Sequence, residues 1–186
     1  MAASSGKRVY RDLQQHIEEL KARDLLYVVD EPVNKDTEMS ALVRWQFRGG
    51  LREDQRKAFL FNNPTDSKGR QYDIPVVIGA LAANQDIYAT GMDTTVDGIA
   101  AKWSHAIANP IPPRLVNEAP CHDVVIEGED LVAEDGGLVR LPVPLSTPGF
   151  DSTPTLAATN VITKNPDTGT QNMGTYRAGL KASDRL

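Results

Sequence analysis

The chain has little cysteine, few aromatic residues and no long apolar run. A single cysteine in 186 residues excludes a disulfide within the chain and is compatible with a reducing cytoplasm. The longest apolar stretch, from Ile74 to Ala83, is far shorter than the roughly 18–20 residues of a membrane-spanning helix. The sequence therefore predicts a cytoplasmic protein without a membrane span.

An excess of basic residues is also missing. The 20 Lys and Arg stand against 25 Asp and Glu, which gives a formal net charge of −5. Because no basic stripe offsets the phosphates of a nucleic acid, nucleic acid is not an expected partner. The apolar share of 40% and the charged share of 24% are typical of a globular protein.

Several catalytic signatures are absent from the sequence. It has no glycine-rich phosphate loop, no zinc-spaced set of Cys and His, no His-Glu-x-x-His and no Gly-x-Ser-x-Gly. Cys121 and His122 are neighbours on an extended segment, so they point to opposite faces and do not form a nucleophile–base dyad. His16 and His105 lack a second ligand four residues on, and both are predicted to be surface or edge residues.

Five acidic side chains lie close together after Cys121. Their order lacks the alternating Asp and Asn ligands and the glycine of a calcium loop, so a solvated surface is favoured over a cation site. They are Glu127, Glu129, Asp130, Glu134 and Asp135.

The first part of the chain alternates between helical and strand patterns. Apolar residues every three or four positions predict an amphipathic helix over 8–26. A β-branched run over 25–33 predicts a strand that Pro32 ends. A second helix is predicted from the Asp36-Thr37 cap to the Gly49-Gly50 stop.

Two more strands are predicted at 58–61 and 74–78, with Asn62-Asn63-Pro64 as a turn after the first. An apolar face then predicts a third helix over 94–109, where Thr94 and Asp97 fit a capping box.

Residues 110–113 contain three prolines in four positions and predict a stiff extended linker. It divides an α/β region, 1–109, from a region, 114–186, in which four strands and no helix are predicted. The predicted fold class is thus α+β. The four strands are 123–127, 137–143, 156–164 and 172–181.

The last two predicted strands form a hairpin. Asn165-Pro166-Asp167-Thr168-Gly169 is a turn sequence, because Pro fixes φ, Asp caps locally and Gly accepts a positive φ. Alternation on the returning strand places Asn172 and Tyr176 on one face and Thr175 and Arg177 on the other. From the residues alone, this hairpin is either a ligand-binding wall or an ordinary exposed hairpin.

At this hairpin the sequence resembles the UbiD family of reversible decarboxylases. The similarity extends over the whole chain and includes Glu-Glu-Leu-Lys-Ala-Arg-Asp-Leu-Leu from Glu18 and Leu-Pro-Val-Pro from Leu141. Its most specific part is Asn165-Pro-Asp-Thr-Gly-x-x-Asn172-Met-Gly-Thr-Tyr-Arg177. The resemblance implies that region 114–186 contributes the first strands of a flavin-binding split barrel.

The same resemblance implies prenylated FMN and Mn²⁺ as cofactors, and it leaves K⁺ open as a further cation. By position in the motif, Asn172 is the metal ligand, and Thr175, Tyr176 and Arg177 contact the flavin. Arg177 is also the implied catalytic residue, which orients the acid group of the substrate. A guanidinium suits this role because it remains charged and binds a carboxylate through two hydrogen bonds.

The implied activity is decarboxylation of aromatic or α,β-unsaturated carboxylic acids. The implied partners are the acid itself, a flavin prenyltransferase that supplies the cofactor, and further copies of the protein in a homo-oligomer. The remaining metal ligands of the family, a histidine and a glutamate, are expected beyond Leu186. The chain is therefore predicted to be an N-terminal portion that is inactive alone.

Two alternatives remain open from the sequence. The first is a complete, non-catalytic binding or assembly subunit of a multi-chain decarboxylase. The second is a simple flavin-binding redox module, which is less favoured because no residue is identified that would contact a nicotinamide.

Overall fold

A computed structural model describes residues 12–112 and 114–186. In this part of the chain, four helices and three strands are interspersed up to residue 108, and a β-hairpin lies near the end. The helices are α1 (Leu13–Ala22), α2 (Met39–Arg48), α3 (Gln85–Gly91), α4 (Ile99–Ala108) and α5 (Glu129–Val132). The strands are β1 (Leu26–Asn34), β2 (Ala58–Thr65), β3 (Val76–Ile78), β4 (Thr155–Lys164) and β5 (Gln171–Gly179). Short 3-10 helices lie at Glu53–Gln55, Val96–Gly98, Pro120–His122 and Gly137–Arg140.

The strands form two small sheets, one with the order β1-β2-β3 and one that consists of the hairpin β4-β5. This mixture of helices and open sheets confirms the predicted α+β class. The split barrel and the domain limits 1–109, 110–113 and 114–186 stay predictions. Residues 8–11 of the first predicted helix and Pro113 of the linker lie outside the described residues.

The chain forms two compact units that interleave along the sequence. Of the described residues, one unit contains those within 12–31, 42–62 and 77–118, and the other contains 32–41, 63–76 and 119–186. Strands β1 and β2 each begin in the first unit and end in the second, so the chain passes between the units several times.

Strands β1 and β2 are parallel, and helix α2 connects them. At their starts the Ala58 amide donates to the Leu25 carbonyl at 3.0 Å, and after their ends the Lys35 amide donates to the Thr65 carbonyl at 2.8 Å. A parallel pair needs a long crossover, and α2 supplies it.

The apolar core of the first unit forms around helix α1. Ile17 and Leu20 lie one turn apart on α1 and are buried, as the helical period predicts. They pack with Leu26, Ala58, Ala80, Ala83 and Ile87. Asp12 caps the helix, since its carboxylate accepts the Gln15 amide at 2.9 Å.

Two strands continue through residues that the sequence predicts to end them. Pro32 lies inside β1, because β1 is an edge strand of its sheet and proline is tolerated where a backbone amide has no strand partner. Asn62-Asn63-Pro64 lies inside β2 rather than in a turn. The prediction was wrong at both places.

Helices α2 and α4 are found where predicted, but their first turns differ from the prediction. Helix α2 begins at Met39, and the Asn34 side chain accepts the amides of Asp36 and Thr37 before it. Helix α4 follows the 3-10 turn Val96–Gly98, and no side chain caps either element. The predicted capping box was therefore wrong.

The predicted apolar face of α4 is not buried either. Its largest members, Trp103 and Ile107, are 48% and 75% exposed. Periodicity correctly predicted the helix, but it did not predict what covers the face.

Sequence patterns missed helix α3. Asn84 caps it, with its side-chain oxygen accepting the Ile87 amide at 2.7 Å and its amide nitrogen donating to the Arg56 carbonyl. An Asn followed three residues later by a buried Ile was the signal that could have revealed this helix.

Two of the four strands predicted after the linker are not strands. Residues 123–127 have no regular structure, and the segment 137–143 begins as the 3-10 helix Gly137–Arg140. Gly137 has a φ of +51°, and a Cβ there would lie 2.3 Å from the Ser183 carbonyl oxygen, so this glycine turns the chain where a strand was expected.

His16 was predicted at a surface or edge but is buried, with 2% of its surface exposed. Its Nε2 lies 2.7 Å from the Ala80 carbonyl oxygen, which gives the ring a polar partner inside the first unit. His105 is exposed, as predicted. Within the described residues, no helix has both the length and the apolar character needed to cross a bilayer.

Candidate functional site

The hairpin β4-β5 carries all four predicted site residues. Its turn lies where the sequence predicts, and Gly169 has the predicted positive φ, +70°. The predicted cap by Asp167 was wrong, because the Asn165 side-chain oxygen accepts the amides of Asp167 and Thr168 at 2.8 and 2.9 Å. The strands then pair antiparallel, from Lys164 opposite Gln171 up to Thr155 opposite Gly179.

The register determines which side chains share a face. Asn172 lies opposite Thr163, Thr175 opposite Asn160, and Tyr176 opposite Thr159. Paired residues of an antiparallel ladder point to the same side. The hydrogen bond from the Thr175 hydroxyl to the Asn160 side-chain oxygen, 3.1 Å long, is consistent with this register.

Tyr176 folds back over Gly174 on the same face. A Cβ at Gly174 would lie 2.5 Å from Cε2 of the Tyr176 ring, so glycine leaves room for the ring to cover the backbone. The ring remains 56% exposed, and it therefore presents an aromatic surface to solvent on this face.

A β-bulge lies opposite Arg177. Leu156 pairs with Ala178 and Thr159 pairs with Tyr176, so that Ala157 and Ala158 together oppose the single residue Arg177. Bulges bend a strand and redirect side chains, and they occur often beside active sites. Two alanines therefore form the bulge, and they are followed by Thr159 and Asn160.

The four predicted site residues are all exposed, and alternation divides them between two faces. Asn172 and Tyr176 share one face, while Thr175 and Arg177 share the other. Within the described residues the hairpin is a two-stranded sheet, so no further strand of this part of the chain pairs with the outer edge of β5.

No metal site is formed by acidic, histidine or cysteine side chains in the described residues, since none of them cluster in groups of three or more that could hold an ion. The acidic side chains after Cys121 are exposed, as predicted, and so are Cys121 and His122. The metal site predicted at Asn172 therefore stays a prediction.

Sequence patterns missed a polar cluster around Tyr72 in the second unit. The Tyr72 hydroxyl donates to Oδ2 of Asp66 at 3.1 Å, and the Asp66 Oδ1 accepts the amides of Lys68 and Arg70, both at 2.9 Å. Burial, followed by the charge of Asp66 and this hydrogen bond, raises the pKa of Tyr72 to about 12. The only signal in the sequence was the turn composition of Asp66-Ser-Lys-Gly.

Taken together, the chain is an α+β protein whose hairpin presents an amide, an aromatic ring and a guanidinium along one strand. Two family models match it. Residues 17–107 match the N-terminal domain of 3-octaprenyl-4-hydroxybenzoate carboxy-lyase, and residues 114–186 match the Rift-related domain of the same enzyme. The chain belongs to the UbiD family.

Solved structures agree with this assignment. The UbiD-class enzyme HmfF from Pelotomaculum thermopropionicum, in complex with FMN, is 27% identical with a TM-score of 0.73, over 92% of this chain and 35% of HmfF. An evolved dimeric form of HmfF, in complex with prFMN, is also 27% identical, with a TM-score of 0.75 over 94% of this chain and 37% of that one.

A third similar structure is the apo 3,4-dihydroxybenzoic acid decarboxylase from Enterobacter cloacae, with 24% identity and a TM-score of 0.76. It covers 94% of this chain and 35% of the decarboxylase, and at this identity it supports the fold alone. The chain therefore spans little more than a third of the length of the enzymes that it matches.

Proposed function

We propose that this chain is part of a UbiD-type decarboxylase that acts on aromatic or α,β-unsaturated carboxylic acids with prenylated FMN and a divalent metal. The single observation that carries the proposal is the strand β5, where the Asn172-to-Arg177 motif lies within the region matched by the Rift-related domain. The flavin complexes of HmfF support the choice of cofactor.

The donor set on β5 fits a flavin nucleotide. Thr175, Tyr176 and Arg177 offer a hydroxyl, an exposed ring and a guanidinium on three successive residues, beside a strand edge with which no other strand of the described residues pairs. When bound, prenylated FMN supplies the electron sink for loss of carbon dioxide, and the protein supplies orientation and charge. In the proposal these three residues hold the cofactor.

Arg177 is proposed to bind the carboxylate of the substrate. It forms no ion pair with any carboxylate in the described part of the chain, so its five N–H donors are available. The bulge at Ala157 and Ala158 lies opposite it, and bulges commonly redirect side chains.

Asn172 is proposed to contribute one metal ligand. An amide oxygen suits a hard cation such as Mn²⁺, but a single neutral oxygen does not satisfy six-coordinate geometry. The described residues thus fit part of the metal site only, and we propose that these 186 residues alone have no turnover.

The proposal extends to the surroundings of the enzyme. A flavin prenyltransferase would supply the cofactor, the working enzyme would be a homo-oligomer, and it would act in the cytoplasm. K⁺ is a further candidate cation. The alternative of a non-catalytic assembly subunit, complete at Leu186, requires a stop codon at that point of the reading frame.

The test uses the whole encoded reading frame that contains these residues, expressed together with a flavin prenyltransferase. We expect bound flavin by absorbance, stoichiometric Mn²⁺ by elemental analysis, and release of carbon dioxide from at least one aromatic or unsaturated acid. Arg177→Ala is expected to abolish turnover with the fold intact, and Asn172→Ala to lower the bound Mn²⁺.

Two neighbouring residues provide matched controls. Lys164→Ala removes a cation from the same hairpin, and Gln171→Ala removes the amide next to Asn172; both are expected to retain flavin, metal and turnover. Unchanged turnover in Arg177→Ala would remove Arg177 from the site, and a protein without flavin or turnover would contradict the proposed function.

A further inference from the structure

Asn160 and Thr175 form a polar pair across the hairpin, on the face that alternation also gives to Arg177. They lie opposite each other in the register, and the Thr175 hydroxyl donates to the Asn160 side-chain oxygen at 3.1 Å. Both residues are exposed. The hydrogen bond holds the two side chains together on one side of the sheet, so a ligand on this face meets them as a unit.

The bond between the two side chains decides which of their atoms remain for a ligand. Because Thr175 donates its proton to Asn160, its oxygen presents lone pairs and is an acceptor. Asn160 uses its oxygen in the bond and retains an amide nitrogen with two N–H donors. Within residues 12–112 and 114–186, no hydrogen bond from that nitrogen is formed. The pair thus offers one donor and one acceptor side by side.

The neighbouring residues on this face differ in polarity. Ile162 and Met173 lie opposite each other, two residues away from the polar pair, and each is 64% exposed. Arg177 lies two residues beyond Thr175 in the other direction along β5. Since side chains two residues apart on a strand are separated by roughly 6.5–7 Å, the face changes from apolar to hydrogen-bonding to cationic over roughly 13 Å.

The ring system of a flavin has the same order of polarity. Its dimethylbenzene end is apolar, and its pyrimidine end has carbonyl oxygens on both sides of the N3–H group. A carbonyl oxygen beside an N–H is the complement of an amide N–H beside a hydroxyl oxygen. Ligand sites commonly combine an apolar lining with a few such polar groups, which fix the orientation of the ligand.

We propose that Asn160 and Thr175 together recognise the pyrimidine edge of the flavin, with Asn160 donating to a carbonyl oxygen and Thr175 accepting from N3–H. The neighbouring apolar pair supports the other end of the ring. This inference rests on the proposed flavin cofactor, and it adds Asn160 as a residue that determines how the ring is oriented. Asn172 and Tyr176 lie on the opposite face and take no part in this contact.

The test is titration of FMN and of N3-methyl-FMN with the protein encoded by the whole reading frame, followed by flavin fluorescence. FMN is a suitable probe, since HmfF has been solved in complex with it. N3-methyl-FMN lacks the N3–H donor and is otherwise the same molecule. We expect the unmodified protein to bind FMN roughly tenfold more tightly, because the methyl group leaves the Thr175 oxygen without its donor.

Three variants separate recognition of the flavin from stability of the hairpin. Thr175→Val removes the acceptor, and the preference for FMN over N3-methyl-FMN is expected to fall by at least about threefold. Thr175→Ser retains the hydroxyl and should retain the preference. Asn160→Ala removes the donor to the carbonyl and should raise the Kd of both flavins roughly three- to tenfold, as for loss of one neutral hydrogen bond.

Gln171→Leu is the matched control, because Gln171 is an exposed amide on the same face of β5, four residues before Thr175. It is expected to bind both flavins like the unmodified protein, and circular dichroism checks the fold of every variant. If FMN binds but the unmodified protein has no preference, or Thr175→Val retains it, or Asn160→Ala binds both flavins as before, the inference is overturned while the proposed function stands. A whole protein that binds no flavin overturns both.

Discussion

Individual polar side chains in this protein replace missing backbone partners. The buried Gln46 side chain donates to the Lys57 carbonyl at 2.9 Å and accepts the Lys57 amide at 3.0 Å, as a neighbouring strand would. Asn84 does the same for the Arg56 carbonyl and the Ile87 amide. A buried amide or carbonyl without a partner is costly, so these residues stabilise the fold although they are polar.

The Asp66–Tyr72 pair shows the same balance for ionisable groups. Burial would raise the pKa of Asp66, but the amides of Arg70 and Lys68 and the Tyr72 hydroxyl stabilise the carboxylate, and its pKa lies below the usual value. Asp66 therefore stabilises the fold at neutral pH, and this contribution is lost as the pH falls below about 4 towards the lowered pKa.

Tyr72 leads to a prediction at high pH. Its pKa of about 12 in the folded chain is above the value of about 10 in the unfolded chain, so its contribution to stability is complete below pH 10 and lost as the pH rises towards 12. Tyr72→Phe is expected to remove the last step in an ultraviolet titration of the tyrosines and to flatten the loss of stability over this range.

Two variants complete that experiment. Tyr176→Phe, in the exposed hairpin, should retain the late step, and Asp66→Asn should shift it to lower pH because the neighbouring charge is gone. A late step that persists in Tyr72→Phe would contradict the assignment.

At the level of elements, the hairpin and helix α4 differ in what local sequence decides. The hairpin turn is local, since Asn165 and Gly169 set its geometry within five residues, and it forms at the predicted position. The register and the bulge at Ala157 and Ala158 depend on pairing with β5. The apolar face of α4 depends on which other elements reach it, and this is not encoded in the 3.6-residue period.

The turn gives a prediction of stability. Gly169 has a φ of +70°, a conformation that costs an L-residue with a Cβ roughly 1 kcal/mol. Gly169→Ala is expected to lower the free energy of unfolding by about that amount in urea titrations, whereas Gly169→Asn should lose less because Asn tolerates this conformation. Equal loss in both variants would indicate that contacts of the turn, and not its backbone, are responsible.

At the level of the whole molecule, the match to related enzymes covers nearly all of this chain but only part of those enzymes. The match to HmfF includes 92% of this chain but only 35% of HmfF. Its described residues contain no cluster of three potential acidic, His or Cys metal ligands. The described residues therefore do not by themselves form a complete set of acidic, His or Cys ligands around the metal proposed at Asn172.

The 186-residue chain is therefore expected to bind Mn²⁺ weakly, with a Kd above about 1 mM, because one amide oxygen replaces little of the hydration shell of the ion. Electron paramagnetic resonance of free Mn²⁺ measures this directly. Asn172→Ala should leave the weak binding nearly unchanged, and tight stoichiometric binding by the unmodified chain would contradict the proposal that the site is incomplete here.

The sequence by itself determined the α+β class, helices α1, α2 and α4, strand β1 and the hairpin with its turn, because each follows from periodicity or turn chemistry over a few neighbouring residues. Only the tertiary structure decided that His16 is buried, that β1 continues through Pro32, and that 123–127 and 137–143 are not strands. These features depend on contacts between residues far apart in sequence, such as the bond from Leu138 to Ser183, and local patterns contain no information about such contacts.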